Sequence, residues 1–297
     1  MCGFLVVGSS ELELQVFNDA LNQAAYRGPD HQHVSINNGI TWGFNRLSIM
    51  DLSSKGNQPF VYKDCVLVCN GEVYNYHSLK AMLETDYTFK SGSDCEVLIP
   101  LYHKYGIEIL CKFLDAEFAM VIYDAKKDKI LAARDPMGIR PMFYGYHKED
   151  GKICFASEAK GLFPLCQEIM PFPPGHYYED GKFICYNDLS NPKTINNDDL
   201  ETIAINLRLK LEKAVEKRLQ SDAPIGYLLS GGLDSSLVCA IAARLNDQPI
   251  KTFAIGMDTD PIDLKYAKQV ADYLGTDHTE VIMTKEDLLE NLRDVIF

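Results

Sequence analysis

Apolar residues come in short runs over the first two thirds of the chain. Those at residues 4–7, 40–44, 66–69, 118–123, 130–133, 142–146 and 153–156 are rich in Val, Ile, Phe, Tyr and Ala and too short for buried helices, so they predict β-strands. Helical spacing interrupts them twice. Leu14, Phe17, Leu21, Ala24 and Ala25 fit one helix face, and Val97, Leu98, Leu101 and Tyr102 fit another. Strands in runs with helices laid on them predict an α+β layered domain. Between residues 186 and 200 the apolar pattern stops. Tyr186-Asn187-Asp188-Leu189-Ser190-Asn191-Pro192-Lys193 and Asn196-Asn197-Asp198-Asp199 form a polar, turn-rich stretch that reads as a linker.

Beyond the linker, helix and strand patterns alternate. Ile203, Leu207, Leu211, Ala214 and Val215 mark an amphipathic helix capped by the preceding Asn and Asp residues. A strand at 225–229, a Gly-rich turn, a helix at 235–245, a strand at 252–255, a helix near 263–274 and a strand at 278–283 follow. This βαβαβ order predicts a parallel sheet. The expected division is one domain over 1–186, a linker over 187–200 and a second domain over 201–297.

Two local features carry candidate chemistry. Removal of Met1 would leave the Cys2 thiol beside a free α-amine, and these titrate near ~8.5 and ~8, so the amine can take the thiol proton close to neutral pH. The second feature is the first strand-to-helix turn after the linker, Leu229-Ser230-Gly231-Gly232-Leu233-Asp234-Ser235-Ser236. Adjacent glycines let backbone approach a ligand, and the following helix N-terminus favours an anion, so the segment reads as a phosphate cradle. It lacks the lysine and spacing of the P-loop. A plain βα turn with a serine cap would use the same residues.

Composition narrows the functions. The 297 residues are 46% hydrophobic and carry a net charge of −13, which argues against a polyanion-binding surface and so against nucleic acid. Nine cysteines without CxxC pairing point to reduced thiols. With no basic leader and no long apolar run, the expectation is a soluble cytoplasmic protein with no membrane contact.

Further short segments share an order with the two features above: Arg27-Gly28-Pro29-Asp30, Arg46-Leu47-Ser48-Ile49, Gln58-Pro59, Asn70-Gly71-Glu72-Val73-Tyr74-Asn75, Ser91-Gly92-Ser93-Asp94-Cys95-Glu96, Arg134-Asp135-Pro136-Met137-Gly138, Ser157-Glu158-Ala159-Lys160 and Phe172-Pro173-Pro174-Gly175. Together with Met1-Cys2-Gly3 and Ser230 to Ser235, they make the whole chain resemble the glutamine-hydrolysing asparagine synthetase family. Tyr26 departs from it, since many members have a histidine there. The resemblance implies an N-terminal Ntn-hydrolase four-layer αββα sandwich acting as a class II glutamine amidotransferase, then a Rossmann-like ATP-pyrophosphatase domain, incomplete in this chain.

The resemblance also assigns roles. Cys2 would attack the glutamine side-chain amide, with Asn70 and the Gly71 N–H as oxyanion hole. Arg46 would hold the α-carboxylate, Glu72 and Asp94 the α-ammonium side, and Leu47, Ser48 and Ile49 would line the glutamine site. ATP would bind Leu229, Ser230, Gly231, Gly232, Asp234, Ser235, Ile255 and Gly256, with Mg²⁺ reaching Asp234 through the pyrophosphate. Aspartate would be activated as an acyl adenylate and converted by ammonia to asparagine. The alternatives are another carboxylate acceptor, a phosphoribosyl or sugar-phosphate partner domain, and a glutaminase-only or non-catalytic fragment. Taken alone, Asn70-Gly71 also reads as a hairpin turn and Asp94 as a helix cap. Family members continue well beyond Ser236, and the apolar face of a helix at 287–297 lacks neighbours, so the expectation is a fragment or a chain completed by a partner, whether a homodimer mate or a missing segment. Glutaminase chemistry is expected intact and asparagine formation by this chain alone weak or absent.

Overall fold

The computed structural model describes residues 1–9, 11–192, 194–259 and 261–296. Lys193 of the polar stretch and Phe297 of the last helix lie outside the described residues. Two compact units emerge, Met1–Ile195 and Asn196–Phe297.

The first unit runs β1 (Gly3–Val7), α1 (Leu14–Asn22), β2 (His31–Asn37), β3 (Ile40–Arg46), β4 (Phe60–Tyr62), β5 (Cys65–Val73), α2 (Tyr76–Leu83), α3 (Leu98–Phe113), β6 (Ala116–Asp124), β7 (Lys129–Arg134), β8 (Phe143–His147), β9 (Ile153–Ala156), β10 (Cys166–Pro171), β11 (His176–Glu179) and β12 (Lys182–Cys185). These strands form two six-stranded sheets, β10-β8-β9-β1-β3-β2 and β12-β11-β7-β6-β5-β4.

Side-chain parity builds the layers. Along β1, Phe4 and Val6 enter a core shared with Val66 and Val68 of β5 and Ala119 and Val121 of β6, which therefore lies between the sheets. Leu5 and Val7 point the other way, onto Phe17, Ala20 and Leu21 of α1. Cys65, Leu67 and Cys69 of β5 with Phe118, Met120 and Ile122 of β6 meet Leu79, Leu83, Leu98 and Leu101 of α2 and α3. Central strands buried on both faces read as unbroken apolar runs, which is why residues 66–69 and 118–123 stand out in the sequence. The result is the four-layer αββα sandwich.

Two of the expected local readings change. Asn70-Gly71 is not a hairpin turn; it lies within β5, with Asn70 opposite Ala119 and Gly71 opposite Phe118. Asp94 opens a 3-10 turn, Asp94–Val97, ahead of α3, and its Oδ2 accepts Val73 N from β5 at 2.6 Å. It ties a turn to a strand rather than capping α3.

The second unit contains α4 (Leu200–Lys217), β13 (Gly226–Leu228), α5 (Leu233–Leu245), β14 (Lys251–Met257), α6 (Ile262–Leu274), β15 (Asp277–Met283) and α7 (Lys285–Ile296). Asp199 caps α4, its Oδ1 accepting Thr202 N at 2.9 Å. The strands are parallel in the order β13-β14-β15, and Val215, Cys239, Ile241, Ala254, Leu264 and Ala267 form the core. Helix α5 starts at Leu233, two residues earlier than the pattern predicts, so Asp234 and Ser235 sit in its first turn. Leu288, Leu289, Leu292, Val295 and Ile296 of α7 are exposed.

Candidate functional site

Cys2 stands immediately before β1 at one end of the sandwich, half-buried against the inter-sheet core. Its thiol is bracketed by one residue of the loop after β3: Sγ–H donates to Leu47 O at 3.5 Å and Leu47 N–H donates to Sγ at 3.4 Å. Its carbonyl accepts Arg27 Nε at 3.0 Å. Arg27 is itself held by Glu158, whose Oε1 accepts Arg27 Nη1 at 2.9 Å and also the Tyr26 hydroxyl, while Lys160 Nζ lies 3.3 Å from Oε2. Burial pushes the Cys2 thiol up and the neighbouring α-amine of Met1 down. That amine belongs to Met1; removal of Met1 would put the free α-amine on Cys2 itself, beside the thiol.

The strand that faces Cys2 supplies the polar groups. Val66 and Val68 point into the inter-sheet core, so the period of two puts Asn70 and Glu72 on the same face of β5. Asn70 is buried, and its Nδ2 has no hydrogen-bond partner among the described residues. An amide donor left bare in the interior costs about 1–3 kcal/mol unless something accepts from it. A developing oxyanion beside Cys2 would be such an acceptor.

Carboxylates gather next to Asn70. Glu72 is in register with Glu117 across β5 and β6. Burial first, then Asp94, pushes the Glu72 carboxyl up to about 8, with Glu117 acting the same way and Arg140 opposing. Burial also raises Asp94. Asp94 is placed by Glu96, which folds the preceding loop by accepting Lys90 N at 2.9 Å, Ser91 N at 2.8 Å and Ser91 Oγ at 2.6 Å.

Arg46, expected to hold the glutamine α-carboxylate, is already hydrogen-bonded to its own loop. Its buried guanidinium donates from Nη1 to Ser53 O at 2.6 Å and Asn57 Oδ1 at 2.7 Å, and from Nη2 to Met50 O at 3.2 Å and to Asp51 O. It pins the loop that carries Leu47, Ser48 and Ile49, so a substrate carboxylate reaching Nη1 or Nη2 has to displace a loop oxygen. Asp30 Oδ2 accepts Ser48 N at 2.7 Å, fastening the same loop to the Arg27-Gly28-Pro29-Asp30 segment. Gly28 is required there, since a Cβ would stand 2.2 Å from the Asn45 carbonyl.

In the second unit, a cavity of about 350 Å³ opens at the carboxyl ends of β13 and β14. Leu229, Ser230, Ser235 and Ile255 line it as the sequence suggests, and so do Phe253 and Asp263, which no motif singles out. Gly231, Gly232, Asp234 and Gly256 are not among its lining residues. Ser230 and Ser235 draw the loop together, with Oγ–Oγ at 3.1 Å and Ser230 N donating to Ser235 Oγ at 3.3 Å. Gly231 has φ +76, and a Cβ would lie 2.5 Å from the Tyr266 backbone, so no side chain fits. Gly232 precedes α5 without a side-chain cap, leaving the helix start for an anion. No group of three or more His, Cys, Asp or Glu able to hold a metal occurs among the described residues. Asp234 offers a lone exposed carboxylate in the first turn of α5, which suits Mg²⁺ only as an ion already carried on phosphates.

The sequence model of the glutamine amidotransferase domain family matches residues 1–175. This chain belongs to that family. The asparagine synthase family model matches residues 206–297. A probable glutamine-hydrolysing asparagine synthetase from Schizosaccharomyces pombe is 38% identical over the whole chain, which spans 58% of that relative. The corresponding protein of Zea mays is 39% identical, again over the whole chain and over 53% of its own length. Asparagine synthetase B of Escherichia coli is 40% identical over 92% of the chain and 51% of its length. The chain thus spans about half the length of the curated relatives it matches. Among solved structures, the B. subtilis glutamine phosphoribosylpyrophosphate amidotransferase has a TM-score of 0.54 at 16% identity, covering 98% of this chain and 92% of its own. That likeness concerns the fold alone.

In this member of the glutamine amidotransferase domain family, the structure gathers Cys2, Leu47, Asn70, Glu72 and Asp94 at one end of the sandwich. It adds Glu117 and Arg140, which sequence reading missed. Neither stands in a motif that marks it; Glu117 is found only through its register with Glu72, and Arg140 only through its ion pair with Glu117 at 2.8 Å.

Proposed function

We propose that this protein hydrolyses glutamine at Cys2 and uses the ammonia to make asparagine from aspartate and Mg-ATP. After removal of Met1, the freed α-amine of Cys2 takes the thiol proton. Sulfur then attacks the side-chain carbonyl of glutamine, forming a C–S bond and an oxyanion that Asn70 Nδ2 and Gly71 N–H receive. The C–N bond breaks as the amine returns its proton to the departing nitrogen, releasing ammonia. Water cleaves the glutamyl thioester to glutamate and restores the thiol. Glu72 and Asp94 meet the α-ammonium, and the loop pinned by Arg46 borders the rest of the substrate.

In the second unit, Ser230, Gly231, Gly232, Asp234 and Ser235 receive the nucleotide phosphates, Leu229 borders them, and Ile255 and Gly256 lie near the adenine. Asp234 would meet Mg²⁺ carried in on the phosphates, and that ion would offset the charge of the pyrophosphate. The aspartate carboxylate attacks the α-phosphorus, pyrophosphate leaves, and ammonia displaces AMP from the acyl adenylate. We place the protein in the cytoplasm, where nine free cysteines stay reduced.

The observation that carries the reading is the bare, buried Asn70 amide on the β5 face that lines the inter-sheet core against which Cys2 packs. The test follows glutamate and asparagine together during incubation with glutamine, aspartate and Mg-ATP. Glutamate release that falls about 10²–10³-fold in Asn70→Ala supports the oxyanion-hole role; equal rates in both proteins contradict it. Asparagine formed in step with glutamate supports the synthetase role, and glutamine hydrolysis with no asparagine under any ATP concentration contradicts it for this chain.

A further inference from the structure

The pairing of Glu72 with Glu117 is unfavourable as it stands. Residues directly opposite in an antiparallel ladder hold their Cβ atoms about 4.5–5.5 Å apart, and like charges so placed repel. Both side chains are at least partly buried, where screening is weak. Arg140 brings a cation to this spot. Arg140 is buried, and its Nη2 donates to Glu117 Oε1 at 2.8 Å.

Arg140 arrives there on a rigid loop. Asp135, buried at the end of β7, accepts Met137 N and Ile139 N on Oδ1, each at 3.0 Å, and Arg140 N on Oδ2 at 3.1 Å. Arg134 Nε donates to Arg140 O at 2.8 Å, and its two Nη atoms reach Phe172 O and Gly138 O. The guanidinium is thus fixed at both ends of its residue before any substrate binds. It also has an unused donor, because Arg140 Nε is buried without a partner among the described residues.

We propose that Arg140 is a positioning residue of the glutaminase centre: by drawing Glu117 away from its in-register neighbour, it leaves the Glu72 carboxylate free to meet the α-ammonium of bound glutamine. This rests on the glutaminase reading of Cys2. The bare Nε–H gives the same guanidinium a second donor for Glu72 once that group ionises. The charged groups that act on Glu72 among the described residues fit this balance. Asp94 from the turn before α3 and Glu117 from β6 oppose its ionisation, while Arg140 and the terminal amine beside Cys2 favour it. The Cys2 and Cys95 thiols complete the surroundings.

A merely structural ion pair would give a different result on substitution, and two variants separate the cases. The Glu72 carboxyl carbon is followed by ¹³C NMR against pH in the full chain, assigned through Glu72→Gln, and glutamine kinetics are measured over the same range. In Arg140→Met the Glu72 midpoint moves up by about one unit, the KM for glutamine near pH 7 rises about tenfold, kcat changes little, and the KM gap closes as the pH passes the new midpoint. Arg140→Lys, which keeps the charge, recovers most of the KM. Glu117→Gln moves the midpoint the opposite way, since one like charge is gone and Arg140 is released to Glu72; this variant decides the matter should Arg140→Met fail to fold. A Glu72 midpoint unchanged in Arg140→Met and Glu117→Gln, or a loss in kcat that neither pH nor lysine alters, overturns the proposal. Should the unaltered chain hydrolyse no glutamine, the glutaminase reading fails while the NMR titrations still show whether Arg140 governs Glu72.

Discussion

At the scale of single residues, the end of the sandwich near Cys2 is a place where burial shifts protonation equilibria. The thiol is held protonated by burial, the amine beside it is pushed toward its neutral form, and a glutamate is held neutral up to about pH 8. The last of these carries a stability consequence whose sign is fixed. Glu72 is raised in the folded chain from an ordinary value near 4.5 to about 8, so between those values the unfolded chain has lost its proton while the folded chain keeps it. Stability therefore falls as pH rises through that window and is lowest, for this group, above about 8. Glu72→Gln removes the liability. Thermal melts are expected to show the variant gaining on the unaltered protein as pH goes from 5 to 8.5, with little difference at pH 4.5; a pH-independent difference would contradict the placement of Glu72 among Asp94 and Glu117.

At the scale of elements, legibility in the sequence followed burial. The runs at 66–69 and 118–123 were readable because β5 and β6 are covered on both faces, by the second sheet and by α2 and α3. The four edge strands β2, β4, β10 and β12 were not read as strands, and neither was β11, an interior strand of only four residues. An edge strand needs an apolar face on one side at most, and β2 accordingly presents exposed His31, Gln32 and His33. Short α2 escaped because it buries only Leu79 and Leu83. The candidate site divides along the same line. Cys2, Asn70 and Asp94 sit in recognisable segments, whereas Glu117 and Arg140 matter only through strand register and a loop conformation. Asn70-Gly71 misled locally because a turn-forming dipeptide is overruled by nine residues of pairing with β6.

The Gly-rich loop before α5 makes an element-scale prediction. Gly231 combines positive φ with a wall of Tyr266 and Ala267 backbone at 2.5–2.6 Å, so any Cβ must push α6 away from the loop. Strain of this kind costs about 1–3 kcal/mol. Calorimetry of Gly231→Ala should show a lower melting temperature and a smaller upward shift on adding Mg-ATP. An unchanged ATP-induced shift would remove this loop from the nucleotide site.

At the scale of the whole molecule, the two compact units hold separate candidate sites. Met1–Ile195 holds the thiol, the bare amide and the carboxylates, and Asn196–Phe297 holds the cavity at the ends of β13 and β14. Everything proposed for the second unit presupposes ammonia made in the first, and that presupposes a nucleophilic Cys2. The most direct measurement is intact-mass and peptide analysis of the purified chain after exposure to an electrophilic glutamine analogue such as 6-diazo-5-oxo-L-norleucine, with and without excess glutamine. The account predicts that Met1 is absent, that a single adduct forms on Cys2, that glutamine protects against it, and that Cys2→Ala takes none. An adduct spread over other cysteines and indifferent to glutamine, or none at all on Cys2, would contradict it.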